Sequence, residues 1–117
     1  MKLSHSELKN RFLSNELLCK KVLNIFSLFS NKTRFRILCL LNEGDFCVQE
    51  IVDIINAGEV SFVSQQLKSL SLAGFLTKKK EKKQVFYHLA DKKIRDLIDY
   101  LQSQYITKGG INKEQCS

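Results

Sequence analysis

The segment EVSFVSQQLKSLSLAGFLTKKKEKKQVFYHL, residues 59–89, decides the fold of this chain. In its first part, residues 60–72, apolar residues recur every three or four positions, which predicts a helix with one buried face. Gly74 ends this helix, because glycine readily adopts the left-handed conformation that follows many helix C-termini. The residues expected to face inward are Val63, Leu67, Leu70 and Leu72.

Two short stretches with alternating side chains follow the helix, at residues 75–79 and 84–89. They predict strands, and the short lysine loop between them makes the pair a β-hairpin. A helix rich in serine and glutamine followed at once by a basic hairpin is typical of a winged helix-turn-helix. In that fold the helix offers side chains to base edges and the hairpin offers charge to phosphates.

Two further helices are predicted near the beginning of the chain. Apolar residues spaced three or four apart over residues 7–29 indicate one long amphipathic helix, with a break expected near Asn15. Asn31 is a suitable N-cap for a second helix over residues 32–41.

A short helix is predicted next, immediately before the deciding segment. Cys47 and Glu50 have the spacing of a capping box, with cysteine where serine or threonine is usual. The helix that they begin runs through Ile55, and residues 56–58 form the turn that leads into the next helix.

Asp91 caps a final helix, so the expected order is α-α-α-α-β-β-α, a mainly α fold with one small β-hairpin. The first and last helices carry more apolar surface than a domain of this size readily covers. A homodimer formed through those two helices is therefore expected. We expect one winged helix-turn-helix and dimerisation domain over residues 1–107 and a polar, flexible tail over residues 108–117.

The positive charge is concentrated in the deciding segment. The chain has 117 residues and a net charge of +7, and residues 60–90 hold six lysines and one glutamate, which is +5 of that +7. A local basic patch favours a polyanionic partner such as DNA. The chain shows no secretory signal and no apolar run close to the ~20 residues of a membrane span, which predicts a cytoplasmic protein with no membrane partner.

The helix over residues 60–72 carries the side chains expected to enter the major groove of double-stranded DNA. Gln65 and Gln66 can each form two hydrogen bonds with adenine, and Ser61 and Ser64 can reach bases or phosphates. Lys68 is expected on a phosphate. The hairpin lysines expected along the DNA backbone are Lys79, Lys80, Lys82 and Lys83. A dimer would read two half-sites, so the operator should be an inverted repeat.

Four motifs, in this order, resemble those of the ArsR/SmtB repressors. NKTRFRIL (residues 31–38) resembles their D-P-T-R-x-x-I-L opening, and SFVSQQLKSL (residues 61–70) resembles their S-x-x-S-x-H-L-x-x-L recognition helix. AGFL (residues 73–76) is similar to their A-G-L-V, and VFYHL (residues 85–89) to their second wing strand. The resemblance covers residues 23–105. It implies a homodimeric winged-helix repressor that leaves DNA when an inducer binds, and it does not identify the inducer.

The chain departs from this family's pattern at two motif positions and at the cysteines of its metal sensors. Lys32 replaces the usual proline, and Gln66 replaces the usual histidine. Metal-sensing relatives place two cysteines at the start of the third helix, whereas this chain has Cys47 and then Gln49. One thiolate is too few for a soft-metal site, so we expect no metal and no cofactor. A metal or metalloid inducer remains an alternative.

The BigR/HlyU-like branch of the family senses sulfane sulfur or oxidants through thiols, and Cys39 occupies the position of its proximal cysteine. Tyr105 stands near the position of the distal one, so Cys116 in the tail is the candidate partner. Cys47, at a helix N-terminus, is a third candidate for redox sensing. The alternatives are a small apolar side chain packed in the core for Cys39 and a helix cap for Cys47.

The leading hypothesis is therefore a sequence-specific DNA-binding transcriptional repressor that cysteine modification derepresses. One alternative is a DNA-binding regulator of the same fold without a thiol switch. Another is a winged-helix module for protein or RNA, which would bind duplex DNA weakly and without selectivity. An enzyme is not expected, because the sequence has no nucleophile–histidine–acid set and no glycine-rich phosphate loop.

Overall fold

The computed structural model describes residues 2–105, which form six helices and three strands. The predicted winged helix-turn-helix is confirmed, and the long first helix is divided at Asn15 as expected. The predicted tail over residues 108–117 lies outside the described residues. The elements are α1 (His5–Ser14), α2 (Glu16–Phe29), α3 (Lys32–Leu41), β1 (Phe46–Cys47), α4 (Val48–Ile55), α5 (Val60–Leu72), β2 (Leu76–Glu81), β3 (Gln84–Leu89) and α6 (Lys92–Tyr105).

The three strands form one antiparallel sheet in the order β1-β3-β2. Strand β1 was not predicted, because two residues are too few to show an alternating pattern. Its Cys47 pairs with Phe86 of β3 and is also the N-cap of α4, so this residue joins the sheet to the helix-turn-helix. At that cap the Cys47 backbone N–H donates to Glu50 Oε1 over 3.0 Å, as the capping-box spacing predicts.

The hairpin of β2 and β3, here called the wing, is tighter than its sequence indicates. Strand β2 begins at Leu76 and continues to Glu81, beyond the predicted end at residue 79, and Glu81 pairs with Gln84. The turn is therefore only Lys82 and Lys83. Lys82 adopts φ +56°, the left-handed conformation that a two-residue turn of this twist requires.

The core lies where α3, α4, α5 and α6 meet one end of the sheet. Leu72 was predicted to join it and instead is 80% exposed. Two residues turn an α-helix by about 200°, so the position after next from the buried Leu70 faces solvent. The fully or nearly fully buried apolar residues are Ile37, Leu38, Leu41, Ile51, Ile55, Val63, Leu67, Leu70, Phe75, Leu76, Leu89, Ile94 and Ile98.

Gly74 fixes the path from α5 into the wing. It has φ +88°, and its N–H donates to the Ser71 carbonyl over 3.0 Å. The Phe75 N–H donates to the Leu70 carbonyl over 3.1 Å, which completes a Schellman motif. Phe75 and Leu70 are both buried and belong to the same core cluster, which agrees with the apolar pair usual at these positions of the motif.

Helices α1 and α2 bury none of their residues, although α2 is strongly apolar on one side. No helix within residues 2–105 is long and apolar enough to cross a membrane. The exposed apolar side chains of these two helices, here called the α1–α2 apolar face, are Leu8, Phe12, Leu13, Leu17, Leu18, Val22, Leu23 and Phe26.

Candidate nucleic-acid interface

The outer face of α5 presents polar and basic side chains. Ser61, Ser64, Gln65 and Lys68 are all exposed. Ser64 and Gln65 each lie three or four residues from both Ser61 and Lys68, so the four form one continuous row. The opposite side of α5 is fixed in the core by Val63, Leu67 and Leu70. The packing of α5 therefore directs these four side chains towards solvent, where they can contact another molecule.

Gln66 does not belong to this row, which corrects the prediction that it reads a base. Its side chain is 9% exposed, and it is the one buried polar or charged residue among residues 2–105. Its Oε1 accepts a hydrogen bond of 2.9 Å from Arg34 Nη1. One residue turns a helix by about 100°, which moves Gln66 from the outer face of Gln65 towards the core.

Arg34, the partner of Gln66, is a residue of this site that the sequence pattern does not predict. Its backbone N–H donates to the N-cap Asn31 Oδ1 over 3.0 Å, and its Nε donates to the Leu28 carbonyl over 3.3 Å. Arg34 thus joins the end of α2, the start of α3 and the inner side of α5. A glutamine at an inward-facing helical position was the available signal, because a buried amide needs a hydrogen-bonding partner.

The wing lysines are exposed, in agreement with a surface that binds phosphates. Lys79 Nζ lies 3.6 Å from Glu81 Oε2, and Lys82 and Lys83 form the tip. Lys80 pairs with Val85 across the hairpin. Along β2, alternation places Lys79 and Lys80 on opposite faces of the hairpin, so the positive charge surrounds the wing.

Helix α5 and the wing line a common cleft. A cleft of about 250 Å³ lies between the start of α4, the outer side of α5 and the wing, and both Ser64 and Lys83 line it. Gln49, which is not among the residues predicted to contact DNA, lines the same cleft from the first turn of α4. The structure therefore brings the predicted base-reading helix and the predicted phosphate-binding turn together.

Side-chain bonds hold the wing to the rest of the domain. His88 Nδ1 and Asp45 Oδ1 lie 2.8 Å apart and connect β3 to the loop before β1. Arg95 of α6 donates from Nε to the Leu89 carbonyl over 2.9 Å and from Nη1 to Asn42 Oδ1 over 3.2 Å. These bonds fix the base of the wing relative to α3 and α6.

The cysteines lie in different environments. Cys39 is half-buried on α3 and lines a cavity of about 340 Å³ together with Phe35, Ile54 and Gln102. Cys47 is buried and lines the cleft beside the wing. Cys116 lies outside the described residues. Within the part of the chain that the structure describes, no group of three or more His, Cys, Asp or Glu residues could hold a metal ion.

Comparisons with known proteins agree with this architecture. Residues 31–78 match the model of the family described as "Bacterial regulatory protein, arsR family". The chain is 32% identical over 88 residues to the Biofilm growth-associated repressor of Xylella fastidiosa, covering 75% of this chain and 76% of that protein.

Two solved structures are similar in fold along most of the chain. Reduced HlyU from Vibrio cholerae matches with a TM-score of 0.74 and 26% identity, over 80% of this chain and 98% of that one. The transcriptional repressor BigR from Xylella fastidiosa matches with a TM-score of 0.69 and 28% identity, over 91% of this chain and all of that one. The chain belongs to the ArsR family of bacterial regulatory proteins, and these likenesses support its BigR/HlyU-like branch.

Proposed function

We propose that this chain is a sequence-specific DNA-binding transcriptional repressor. The observation that carries the proposal is the cleft between α5 and the wing, which is lined by Ser64 and by Lys83 at the tip of the wing. Ser64 belongs to the exposed row of α5 that also contains Ser61, Gln65 and Lys68. The name of the Xylella fastidiosa relative, a repressor, supports the same role.

Each part of the surface has a different task in this proposal. Gln65 reads adenine in the major groove, where an amide can accept from N6 and donate to N7. Ser61 and Ser64 contact bases or phosphates, and Lys68 contacts a phosphate. The wing contributes affinity that does not depend on sequence. Its phosphate-binding residues are Lys79, Lys80, Lys82 and Lys83.

The repressor acts as a homodimer on an inverted repeat. Eight apolar side chains of α1 and α2 are exposed, and Tyr100 and Tyr105 of α6 are exposed as well. An apolar surface of this kind is covered in solution when a second copy packs against it. Two copies related by a two-fold axis present two α5 helices to two half-sites.

Modification of Cys39 by sulfane sulfur or an oxidant releases the repressor from DNA. Support comes from the position of this residue: it is half-buried, lines a cavity of about 340 Å³, and lies on α3, the helix that also carries Arg34. Both Cys39 and Cys47 line a cavity or cleft, but Cys39 is half-buried and Cys47 is buried, so a small reagent reaches the Cys39 thiol more easily. Cys116 is the proposed partner of Cys39 in a disulfide: the two thiols give two electrons and two protons to the oxidant, or to the sulfane sulfur atom, which leaves as sulfide.

Fluorescence anisotropy on duplex DNA from upstream of the chain's own gene, with unrelated DNA as competitor, tests both parts. The reduced protein should bind selectively, lose affinity after polysulfide treatment and regain it with a reductant. Cys39→Ser should remain bound after treatment, whereas the matched variant Cys19→Ser, at an exposed cysteine on α2, should still respond. Selective binding that ignores polysulfide would overturn the thiol switch and leave DNA recognition standing.

A further inference from the structure

We propose that Arg34 is a positioning residue that fixes the orientation of α5 through Gln66 and thereby sets how selectively the protein reads DNA. The inference rests on the proposed function and adds a determinant of specificity that touches no base. The hydrogen bond from Arg34 Nη1 to Gln66 Oε1 is 2.9 Å long and partly buried. In a family motif that usually has histidine at position 66, this chain uses an amide whose oxygen is engaged inside the protein.

Arg34 is held firmly enough to act as a support. Its backbone belongs to the first turn of α3, where Asn31 caps it. Its Nε donates to the Leu28 carbonyl, in the last turn of α2. Helix C-termini leave such carbonyls without an intrahelical partner, so this bond satisfies a group that would otherwise need water. The planar guanidinium then fixes the direction of Nη1 relative to Nε, and hence the position of Gln66.

Loss of the bond between Arg34 and Gln66 is costly in free energy. A hydrogen bond from a charged donor is stronger than one between neutral groups, and a buried polar atom that loses its partner also loses the water it could have had instead. The apolar residues of α5 resist its removal from the core, but they do so without directional preference. The Arg34–Gln66 bond supplies the direction, and it selects one rotation of α5 about its axis.

A change in that rotation affects the whole reading row. Gln66 is adjacent to Gln65, and a helix of 13 residues turns as a unit. Because bidentate base contacts depend on both distance and angle, a small rotation weakens every base contact at once. The same bond network reaches α2 through Leu28, so it also connects the α1–α2 apolar face with the helix that reads DNA.

The test compares binding to two duplexes: one that the wild-type protein selects from a random-sequence pool and a shuffled duplex of the same composition. Gln66→Met keeps the size of the side chain but removes the acceptor, and Arg34→Lys keeps the charge but loses the fixed pair of donors. Both should lower the ratio of selected to shuffled affinity by roughly tenfold, a change of about 1.4 kcal/mol. Binding to the shuffled duplex should stay within about twofold, because phosphate contacts supply it.

Gln66→Glu separates positioning from base reading. A carboxylate still accepts from Arg34, so this variant should keep its selectivity within about threefold of wild type. The matched variant Gln65→Glu, one residue away and exposed, should lose selectivity because a carboxylate cannot donate to adenine N7. Circular dichroism and urea unfolding identify any variant that does not fold, and Gln66→Met carries the test if Arg34→Lys fails to fold.

Three results would overturn the inference. Folded Gln66→Met with wild-type selectivity would show that the bond does not orient α5. Loss of selectivity in Gln66→Glu equal to that in Gln65→Glu would make Gln66 a base reader. If the wild-type protein selects no sequence at all, the proposed function fails first and the inference fails with it.

Discussion

At the scale of single residues, Gln65 is the side chain that we expect to distinguish one base from another. It is exposed on the outer face of α5, and its neighbours Ser64 and Lys68 are short enough or flexible enough to leave its amide free to approach a base edge. An amide that accepts from adenine N6 and donates to N7 distinguishes this base from the other three. Its effect should be local to one base pair in each half-site.

Gln65→Ala should therefore reduce discrimination at one base pair by about 1–3 kcal/mol and leave the other positions of the site unchanged. Competition between duplexes that carry single substitutions measures this directly. Gln104→Ala, which removes an exposed glutamine of α6, is the matched control and should change nothing. A uniform loss along the site in Gln65→Ala would instead assign Gln65 to the DNA backbone.

Arg95 stabilises the base of the wing through its hydrogen bonds to the Leu89 carbonyl and to Asn42. Arg95→Met should lower the free energy of unfolding by about 2–3 kcal/mol, because it leaves the Leu89 carbonyl and Asn42 with one fewer charged donor. Lys92→Met is the control, since the exposed pair of Lys92 and Asp96, 3.1 Å apart, contributes at most a few tenths of a kcal/mol. Urea unfolding of both variants checks the difference, and equal effects would contradict a structural role for Arg95.

Helical spacing predicts the outward positions of Ser61, Ser64, Gln65 and Lys68, because the pattern of apolar residues fixes which side of α5 is buried. The same spacing places Gln66 on the inward side of α5, but it does not show which residue satisfies the buried amide. Its inward position is stable only because Arg34, 32 residues earlier in the chain, supplies a donor, and a contact of that separation is invisible to a local pattern.

At the scale of elements, we expect the wing to supply affinity for DNA and α5 to supply specificity. Its two strands are locked by six residue pairs, from Leu76 and Leu89 at the base to Glu81 and Gln84 beside the turn. Lysine side chains on both faces of such a hairpin can follow phosphates without regard to sequence. The Glu81 carboxylate, 3.6 Å from Lys79, reduces the charge of the wing slightly.

Replacing Lys79, Lys80, Lys82 and Lys83 together by glutamine should weaken binding to all duplexes and flatten its salt dependence. Each lost phosphate contact reduces the magnitude of the negative slope of log K against log salt by about 0.9. The preference between selected and shuffled DNA should persist. Lys92→Gln with Lys93→Gln, two exposed lysines of α6, is the control, and a salt slope that is equal in both variants would exclude the wing from the DNA surface.

Five of the six helices and the hairpin follow from sequence patterns, and the sixth helix follows from the expected break at Asn15. Strand β1 does not, because Phe46 and Cys47 are extended only where β3 offers them partners. The early end assigned to β2 has a related cause. Lys80 and Glu81 have poor strand propensity and are held in the ladder by pairing with Val85 and Gln84.

At the scale of the whole molecule, the α1–α2 apolar face predicts association. Leu17→Glu should shift the protein towards monomer in sedimentation velocity, because dimerisation would then have to bury an unpaired charge in the interface. Leu72→Glu is the matched control, since both leucines are 80% exposed and Leu72 lies on α5, away from this face. If Leu17→Glu sediments as wild type does, the homodimer through α1, α2 and α6 is wrong.

The most direct measurement of the central claim is sequencing of the duplexes that the reduced wild-type protein retains from a random-sequence pool. A dimeric, sequence-specific repressor predicts one enriched inverted repeat, with half-sites about one helical turn (~10 bp) apart or a multiple of that distance. Retention with no enriched sequence, from a pool bound only through its phosphates, would contradict sequence-specific recognition by α5.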